Sequence, residues 1–572
     1  MNRTFAEHTL RQTRNLDGLW DFAIDPQDMG QQLGWQSQFP AGHDRMHVPA
    51  CWNNELPYYD YRGAAWYRTA VTLTEAQNLR VIFHAVLGFA DVYWDGEHVA
   101  EHFGGYTPFE FIVKQAGAGV HEIIVRTDNR LDEQTLPYHA VDWFHYGGII
   151  RSVELQALPE VYIEGIKTDY TQNEAGGIEA AFEVRLRSLG SDACTVPLQL
   201  LFDNEPTGTA QAAVNAGGQT TVTLTASIAK PRLWNIGEPE LYSIYVRTGN
   251  DDLADRIGFR FVTTKHKRIL LNGKELNLQG VNRHEEHPEW GFAFPQKLMM
   301  KDLAIIKELG CNAVRGSHYP PSRYWLDLMD ENGLVYWSEI PIWGAHTPAA
   351  ALGHPMVEER ALTMMEEMIR RDYHHPSILF WSVHNEIDTR SQEAYKLSVA
   401  LTGLVRRLDT SRLVSYATMH PLHDIVMPLF DIIGINKYYG WYEGATEGFA
   451  GMLEAFHARA ESLGCGDTPV LMTEFGGAGI HGDTGWEPRL FSEDYQADIL
   501  ATCLRIFRND PKLSGTFIWQ FADIRGDLRS DRGYFRDRAR SFNNKGLVNE
   551  YRKPKQAFRV VRDIYRGDRY PL

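Results

Sequence analysis

Disulfide chemistry has little to work with in this chain. Its five cysteines, Cys51, Cys194, Cys311, Cys465 and Cys503, are odd in number, widely spread and form no Cys-x-x-Cys pair. That argues against a disulfide frame or a cysteine zinc site and suits thiols in a reducing compartment. Uninterrupted apolar sequence is also scarce. No run approaches the roughly 18 residues of a membrane helix, and Met1-Asn2-Arg3-Thr4-Phe5-Ala6-Glu7-His8 lacks the apolar core of a secretory signal. A soluble cytoplasmic protein with no membrane partner is the expectation. Positive charge is in deficit, with 57 Lys and Arg against 74 Asp and Glu and a formal net charge of −17. Such a field repels nucleic acid and anionic lipid, so an anionic small molecule would need a local cluster of cations. No Gly-x-Gly-x-x-Gly follows a strand-like run, and Gly104-Gly105 and Gly476-Gly477 read as turns and not as a phosphate loop.

What the chain does have is length, aromatic rings and a change of pattern midway. At 572 residues it is too long for one core and predicts about three domains. Aromatic content is 12%, with 15 Trp, which suits flat apolar platforms for sugar rings as well as large sandwiches. Short alternating runs dominate the first half. Leu19-Trp20-Asp21-Phe22, Trp66-Tyr67-Arg68, Val81 to Val86 and Ala90 to Trp94 read as strands, with Asp95-Gly96 as a tight turn. Residues 1–157 are expected to form an antiparallel jelly-roll sandwich. Residues 158–265, with runs such as Phe182 to Leu186 and Thr221 to Leu224 between Gly- and Asn-rich turns, are expected to form an immunoglobulin-like spacer.

From residue 266 onward, strands alternate with helices. Eight strand candidates can be counted: Asn277 to Gly280, Asn312 to Arg315, Leu334 to Trp337, a run ending at Glu386, Leu413 to Tyr416, Ile432 to Asn436, a run ending at Glu474, and Gly515 to Trp519. Amphipathic helices stop at Gly310 and Gly333. Eight such units predict a (β/α)8 barrel over residues 266–572, so the fold class is multidomain β plus α/β. Ile378 to Glu386 and Val470 to Glu474 are apolar runs that each end in an acid, placing two carboxylates on the rim where barrel enzymes do chemistry. Two carboxylates so placed can cleave a glycosidic bond, one as proton donor and one at the anomeric carbon. Like charges that close cannot both ionise cheaply, so one must have a raised pKa.

At these acids the chain resembles the family 2 glycoside hydrolases. The resemblance rests on Gly280-Val281-Asn282-Arg283-His284-Glu285, Asn312 to Pro320, His375-Pro376-Ser377, Trp381-Ser382, Asn385-Glu386 and Thr473-Glu474-Phe475-Gly476, in order along nearly the whole chain. It implies that Glu386 is the acid/base, Glu474 the nucleophile, and the outcome retention through a covalent glycosyl-enzyme. It implies further that Asn385 holds the sugar 2-hydroxyl, Tyr438 hydrogen-bonds the nucleophile, and His318 and Trp519 line the pocket floor. Asn436-Lys437-Tyr438-Tyr439-Gly440-Trp441-Tyr442, Asn543-Asn544-Lys545 and the Val141 to Ile149 loop are similar to segments of the β-glucuronidase branch. There the Asn and Lys, here Asn543 and Lys545, grip the C6 carboxylate, with Tyr442 as helper. Asp142 touches a sugar hydroxyl.

The expected activity is therefore that of an exo-β-glucuronidase needing no cofactor and no metal, acting on a small-molecule glucuronide or an oligosaccharide end. The rivals are a β-galacturonidase or dual uronidase, a neutral-sugar β-galactosidase, and a non-catalytic sugar-binding protein. Large sandwiches make a homodimer or homotetramer the expected assembly. Several departures stand out. His384 replaces a small residue and would alter the rim or tune the acid, and Lys437 replaces an Arg. Either Arg538 or Arg540 would assist the carboxylate site. The link from Trp343 to Val357 is too short for a long loop over the site. His284-Glu285-Glu286-His287 lacks the spacing of a zinc helix.

Overall fold

Three layers of architecture succeed one another along the chain in the computed structural model, which describes residues 2–527 and 538–567. The first is an antiparallel sandwich of a four-stranded and a six-stranded sheet, built from Thr13–Asn15 through Val153–Leu158. Its Phe89–Trp94 and Glu97–Phe103 strands are joined through Asp95-Gly96, where both residues take positive φ (50° and 87°), as a tight hairpin requires. Trp20, Phe22, Trp52 and Tyr67 fill the space between the sheets. The second layer packs a three-stranded sheet on a four-stranded one, from Val161–Gln172 to Asp252–Ile257.

The third is a closed barrel of eight parallel strands. They are β1 (Leu278–Arg283), β2 (Ala313–Gly316), β3 (Val335–Glu339), β4 (Ile378–Asn385), β5 (Leu413–Thr418), β6 (Ile432–Asn436), β7 (Val470–Glu474) and β8 (Leu513–Ile518). All eight fall where the apolar runs predict them. Helices Gln296–Leu309 and Arg323–Asn332 end at Gly310 and Gly333, each left-handed as a helix C-terminus favours. Between β5 and β6 the connection carries only a 3-10 turn, Met427–Leu429.

Inside the barrel, chemistry is layered. At the N-terminal end Trp337 packs edge to face on Phe517 and at a tilt on Phe380, and Trp234 of the second sandwich closes the bottom, its indole donating to Asp330 O at 2.9 Å. At the C-terminal end the inward side chains turn polar. The first sandwich reaches that end through residues 129–152. Trp143, 1% exposed, lies against His318 and Trp343, and Phe144 N donates to Arg525 O at 2.8 Å. The barrel mouth is thus walled partly by another domain. No helix among the described residues is long and apolar enough to cross a membrane.

Candidate active site

The polar end of the barrel is organised by one buried arginine. Arg315, at the end of β2, is fully buried. It donates to Glu474 Oε1 (2.8 Å), Asn282 Oδ1 (2.9 Å), both oxygens of Glu339 (3.2 and 3.0 Å) and Asn385 Oδ1 (2.7 Å). Since a guanidinium only donates, the Asn385 atom facing it is the oxygen. Asn436 Nδ2 then donates both to Asn385 Oδ1 (3.0 Å) and to Glu386 Oε1 (2.9 Å), while Asn436 Oδ1 accepts from Thr473 Oγ1 (2.7 Å). The chain of orientations leaves the Asn385 amide hydrogens without a protein acceptor. It also makes Glu386 Oε1 an acceptor, so the proton of a neutral Glu386 belongs on Oε2.

Glu386 follows the last residue of β4 and takes positive φ (55°), an uncommon conformation for a side chain with a Cβ and one that clusters at functional sites. Burial, and then the charge of Glu474, push its pKa from 4.5 up to about 8, against the opposing Asn436 hydrogen bond and Arg315 charge. Glu474 is held from two sides, by Arg315 at Oε1 and by the Tyr438 hydroxyl at Oε2 (2.7 Å). The environment therefore distinguishes the two acids: one is protonated at neutral pH, and the other is bound by a cation and a phenol. His318 Nδ1 lies 2.6 Å from Glu339 Oε1, and its Nε2 is 3.9 Å from Glu474 Oε1. Burial holds this imidazole down at about 3, so it is neutral, with Nδ1–H donating to Glu339 and Nε2 open as an acceptor. Its ring stacks on Trp519 at 5.2 Å.

These groups open into a cavity of about 300 Å³. Trp143, His318 and Trp519 form its aromatic floor, and Glu386, Glu474, Asn436 and Tyr438 one wall. Asp142, Tyr442, Arg538 and Lys545 form the opposite, charged end, and Trp343, His346, Met419 and the Lys437–Glu443 ion pair (2.7 Å) ring the mouth. Lys545 is 1% exposed. Its ammonium donates to Tyr442 OH at 2.8 Å and stands over the rings of Tyr442, Trp441 and Tyr438 at 4.7, 5.4 and 5.7 Å. The same Tyr442 oxygen accepts from Arg538 (3.0 Å), so two cations meet at one phenol in a protein whose net charge is negative.

Nine of the eleven residues anticipated from sequence line this cavity: Asp142, His318, Glu386, Asn436, Tyr438, Tyr442, Glu474, Trp519 and Lys545. Asn385 and Asn543 stand behind the wall. Asn543 Nδ2 donates to Asp142 Oδ2 at 2.9 Å, and Arg538 grips both Asp142 oxygens at 2.9 and 2.6 Å. Of the two arginines left open, Arg538 faces the cavity, and Arg540 turns to Glu550 and Asn544. The expectation for His384 does not hold. It points out of the barrel, with Nε2 2.9 Å from Ser398 Oγ and its ring against Tyr416 and Phe430, away from both the rim and the acid. A bulge in β4, where its pairing with β5 slips between Ser382 and Asn385, puts His384 on the outer face while Asn385 points inward. His284, Glu285, Glu286 and His287 diverge to separate neighbours: Tyr319, Arg151, Tyr146 and Tyr551. Sequence reasoning assigned no part to Arg315, though it lies in the quoted Asn312 to Pro320 segment, nor to Glu339. Like the two anticipated acids, Glu339 ends an apolar strand, and that signal could have found it.

Comparison with known proteins agrees along the whole chain. Residues 262–568 match the model of the glycosyl hydrolases family 2 TIM barrel domain, residues 13–159 that of the family 2 sugar binding domain, and residues 161–260 a further family 2 model. A β-glucuronidase of Paenibacillus borealis is 28% identical over 98% of both chains, and that of Sus scrofa is 29% identical over 98% of this chain and 91% of its own. Among solved structures, a β-galacturonidase from Eisenbergiella tayi bound to galacturonate is 30% identical with a TM-score of 0.91. A Ruminococcus gnavus β-glucuronidase in complex with D-glucaro 1,5-lactone is 27% identical with a TM-score of 0.88. Each covers 99% of both chains.

Proposed function

This chain belongs to glycosyl hydrolase family 2, and on that premise we propose that it is a retaining exo-β-glucuronidase. The observation that carries the reading is the pairing, in one cavity, of two differently poised carboxylates with two cations. Glu386, neutral at pH 7, donates its Oε2 proton to the glycosidic oxygen while the Glu474 carboxylate attacks the anomeric carbon. The aglycone leaves as an alcohol, and a glycosyl ester forms on Glu474. Glu386, now ionised, takes a proton from water, the hydroxide equivalent attacks the same carbon, and glucuronate is released with Glu474 regenerated. In this reading the Asn385 amide, which has no protein acceptor, donates to the 2-hydroxyl as the ring flattens. His318 Nε2 accepts from a sugar hydroxyl over the Trp519 face.

At the far end Lys545 and Arg538 take the C6 carboxylate in place of the Tyr442 oxygen. A charge-assisted hydrogen bond contributes about 1.5–3 kcal/mol. A neutral hexose would replace none of the interactions it disrupts there, and sites built around such partners reject analogues lacking the group. A cavity of about 300 Å³ accommodates one pyranose ring, which fits cleavage from a chain end.

The likeness to the Eisenbergiella tayi galacturonidase supports a second reading, galacturonide hydrolysis, that shares the same carboxylate site and differs at the 4-hydroxyl. Parallel assay of the 4-nitrophenyl β-glycosides of glucuronate, galacturonate, galactose and glucose separates these readings. Glucuronide turnover at least about a hundredfold above the neutral sugars is expected. A faster galacturonide assigns the second reading, and comparable rates on galactoside would overturn both.

A further inference from the structure

Lys545 reaches the cavity from a short segment, residues 543–546, whose backbone is pinned at every step. Gln520 Nε2 donates to Asn543 O (3.4 Å), Gly479 N to Asn544 O (2.9 Å), Gln520 N to Lys545 O (3.0 Å) and Gln496 Nε2 to Gly546 O (3.0 Å). Gly546 presses so close to the exit of β8 that a Cβ there would lie 2.2 Å from Asp523 N and 2.4 Å from Ala522 C. Two further bonds come from charged side chains outside the cavity lining. Lys555 Nζ donates to Asn544 O (2.9 Å), and Asp523 Oδ1 accepts from Gly546 N (2.9 Å). The two charges meet each other at 2.6 Å, and both side chains are 0% exposed.

Asn544 and Gly546 are the residues immediately before and after Lys545. The buried pair therefore grips both flanks of the residue that carries the cavity's ammonium. Stability alone does not account for ions at such a place. A buried pair gains little over well-packed apolar side chains of similar volume, because desolvation offsets the attraction. What an ion pair adds is direction: the lysine can only donate, the carboxylate can only accept, and each is aimed at one backbone group of the loop.

We propose that Lys555 and Asp523 are positioning residues that hold the Lys545 ammonium at the carboxylate end of the cavity and thereby set the preference for uronides over neutral glycosides. The inference rests on the uronidase reading above. Neither side chain touches substrate, and both act through the backbone of residues 544–546.

The test compares K545A, K555M and the double variant D523N/K555M by steady-state kinetics on 4-nitrophenyl β-D-glucuronide, β-D-galacturonide and β-D-glucoside, with thermal melting alongside. Removing both charges in the double variant leaves no ion buried alone, so a folded protein still lacking the tie to Asn544 O can be measured. K555M and the double variant should raise uronide KM about tenfold or more, with kcat and glucoside kcat/KM within about threefold of the parent, since loss of orientation alone weakens a charge-assisted contact by that order. K545A, which removes the cavity's ammonium itself, should lose more uronide kcat/KM than either variant. Unchanged uronide KM in the double variant, beside a K545A that loses selectivity, overturns the positioning role and leaves the uronidase reading standing. An equal loss on all three substrates in K555M and the double variant likewise overturns it, because a merely structural pair would act that way. A K545A with an unaltered uronide-to-glucoside ratio removes the uronidase reading and this inference together.

Discussion

Raising the pH above neutrality should switch catalysis off through Glu386. Burial and the neighbouring Glu474 charge set its pKa at about 8 in the free enzyme. The proton-donating form then makes up about 90% of the molecules near pH 7 and about 10% near pH 9, so kcat/KM for a poor leaving group should fall about tenfold across that interval. With the ordinary value of 4.5, only about 0.3% would be protonated near pH 7, so the shift raises the supply of acid about 300-fold. The assay is kcat/KM for 4-methylphenyl β-D-glucuronide, since that parameter reports the free enzyme. E386Q should lose the alkaline limb along with most activity, and should retain far more on a 2,4-dinitrophenyl glucuronide, whose leaving group needs no proton. An alkaline midpoint below about 6, or an identical limb in E386Q, would refute the assignment of the acid and of the physics that poises it.

The same shift has a cost in stability whose sign can be worked out. Glu386 is protonated in both states below about 4.5, but above that only the unfolded chain ionises freely, so its contribution declines as pH rises toward about 8. E386Q should therefore match the parent's melting temperature near pH 4.5 and exceed it near pH 8; equal melting temperatures at both would contradict the shift. Tyr438→Phe keeps the ring beneath Lys545 but removes the 2.7 Å hydrogen bond to Glu474. Loss of a bond to a charged group, about 1.5–3 kcal/mol, corresponds to a fall in kcat/KM of roughly ten- to a hundredfold with the fold intact, to be read from steady-state kinetics and circular dichroism.

Much of the architecture was legible because it is written in local patterns. Buried parallel strands are continuous apolar runs, so all eight barrel strands could be marked, and Gly310 and Gly333 announced the ends of their helices. Between β5 and β6, where the sequence marks no amphipathic run, the connection carries only the 3-10 turn Met427–Leu429. In the site, nine of the eleven residues singled out by their place beside an acid or in a motif line the cavity, and Asn385 and Asn543 stand behind its wall. The outward turn of His384 was not legible, because simple alternation from the inward Phe380 would send it into the barrel and only the bulge between Ser382 and Asn385 reverses its face.

The order of residues by itself determined the barrel and the two rim acids, since both depend on short-range periodicity, whereas Lys545 was singled out through the resemblance of its segment to the β-glucuronidase branch. Which acid keeps its proton, which arginine faces the cavity and what aims Lys545 were decided only by the tertiary structure. Arg315 meets Glu474 across 159 positions and Arg538 meets Asp142 across 396. Lys555 meets Asp523 across 32 in a site without solvent. A pKa or an orientation depends on the distances between charges and on the water excluded around them, and neither exists until the chain has folded.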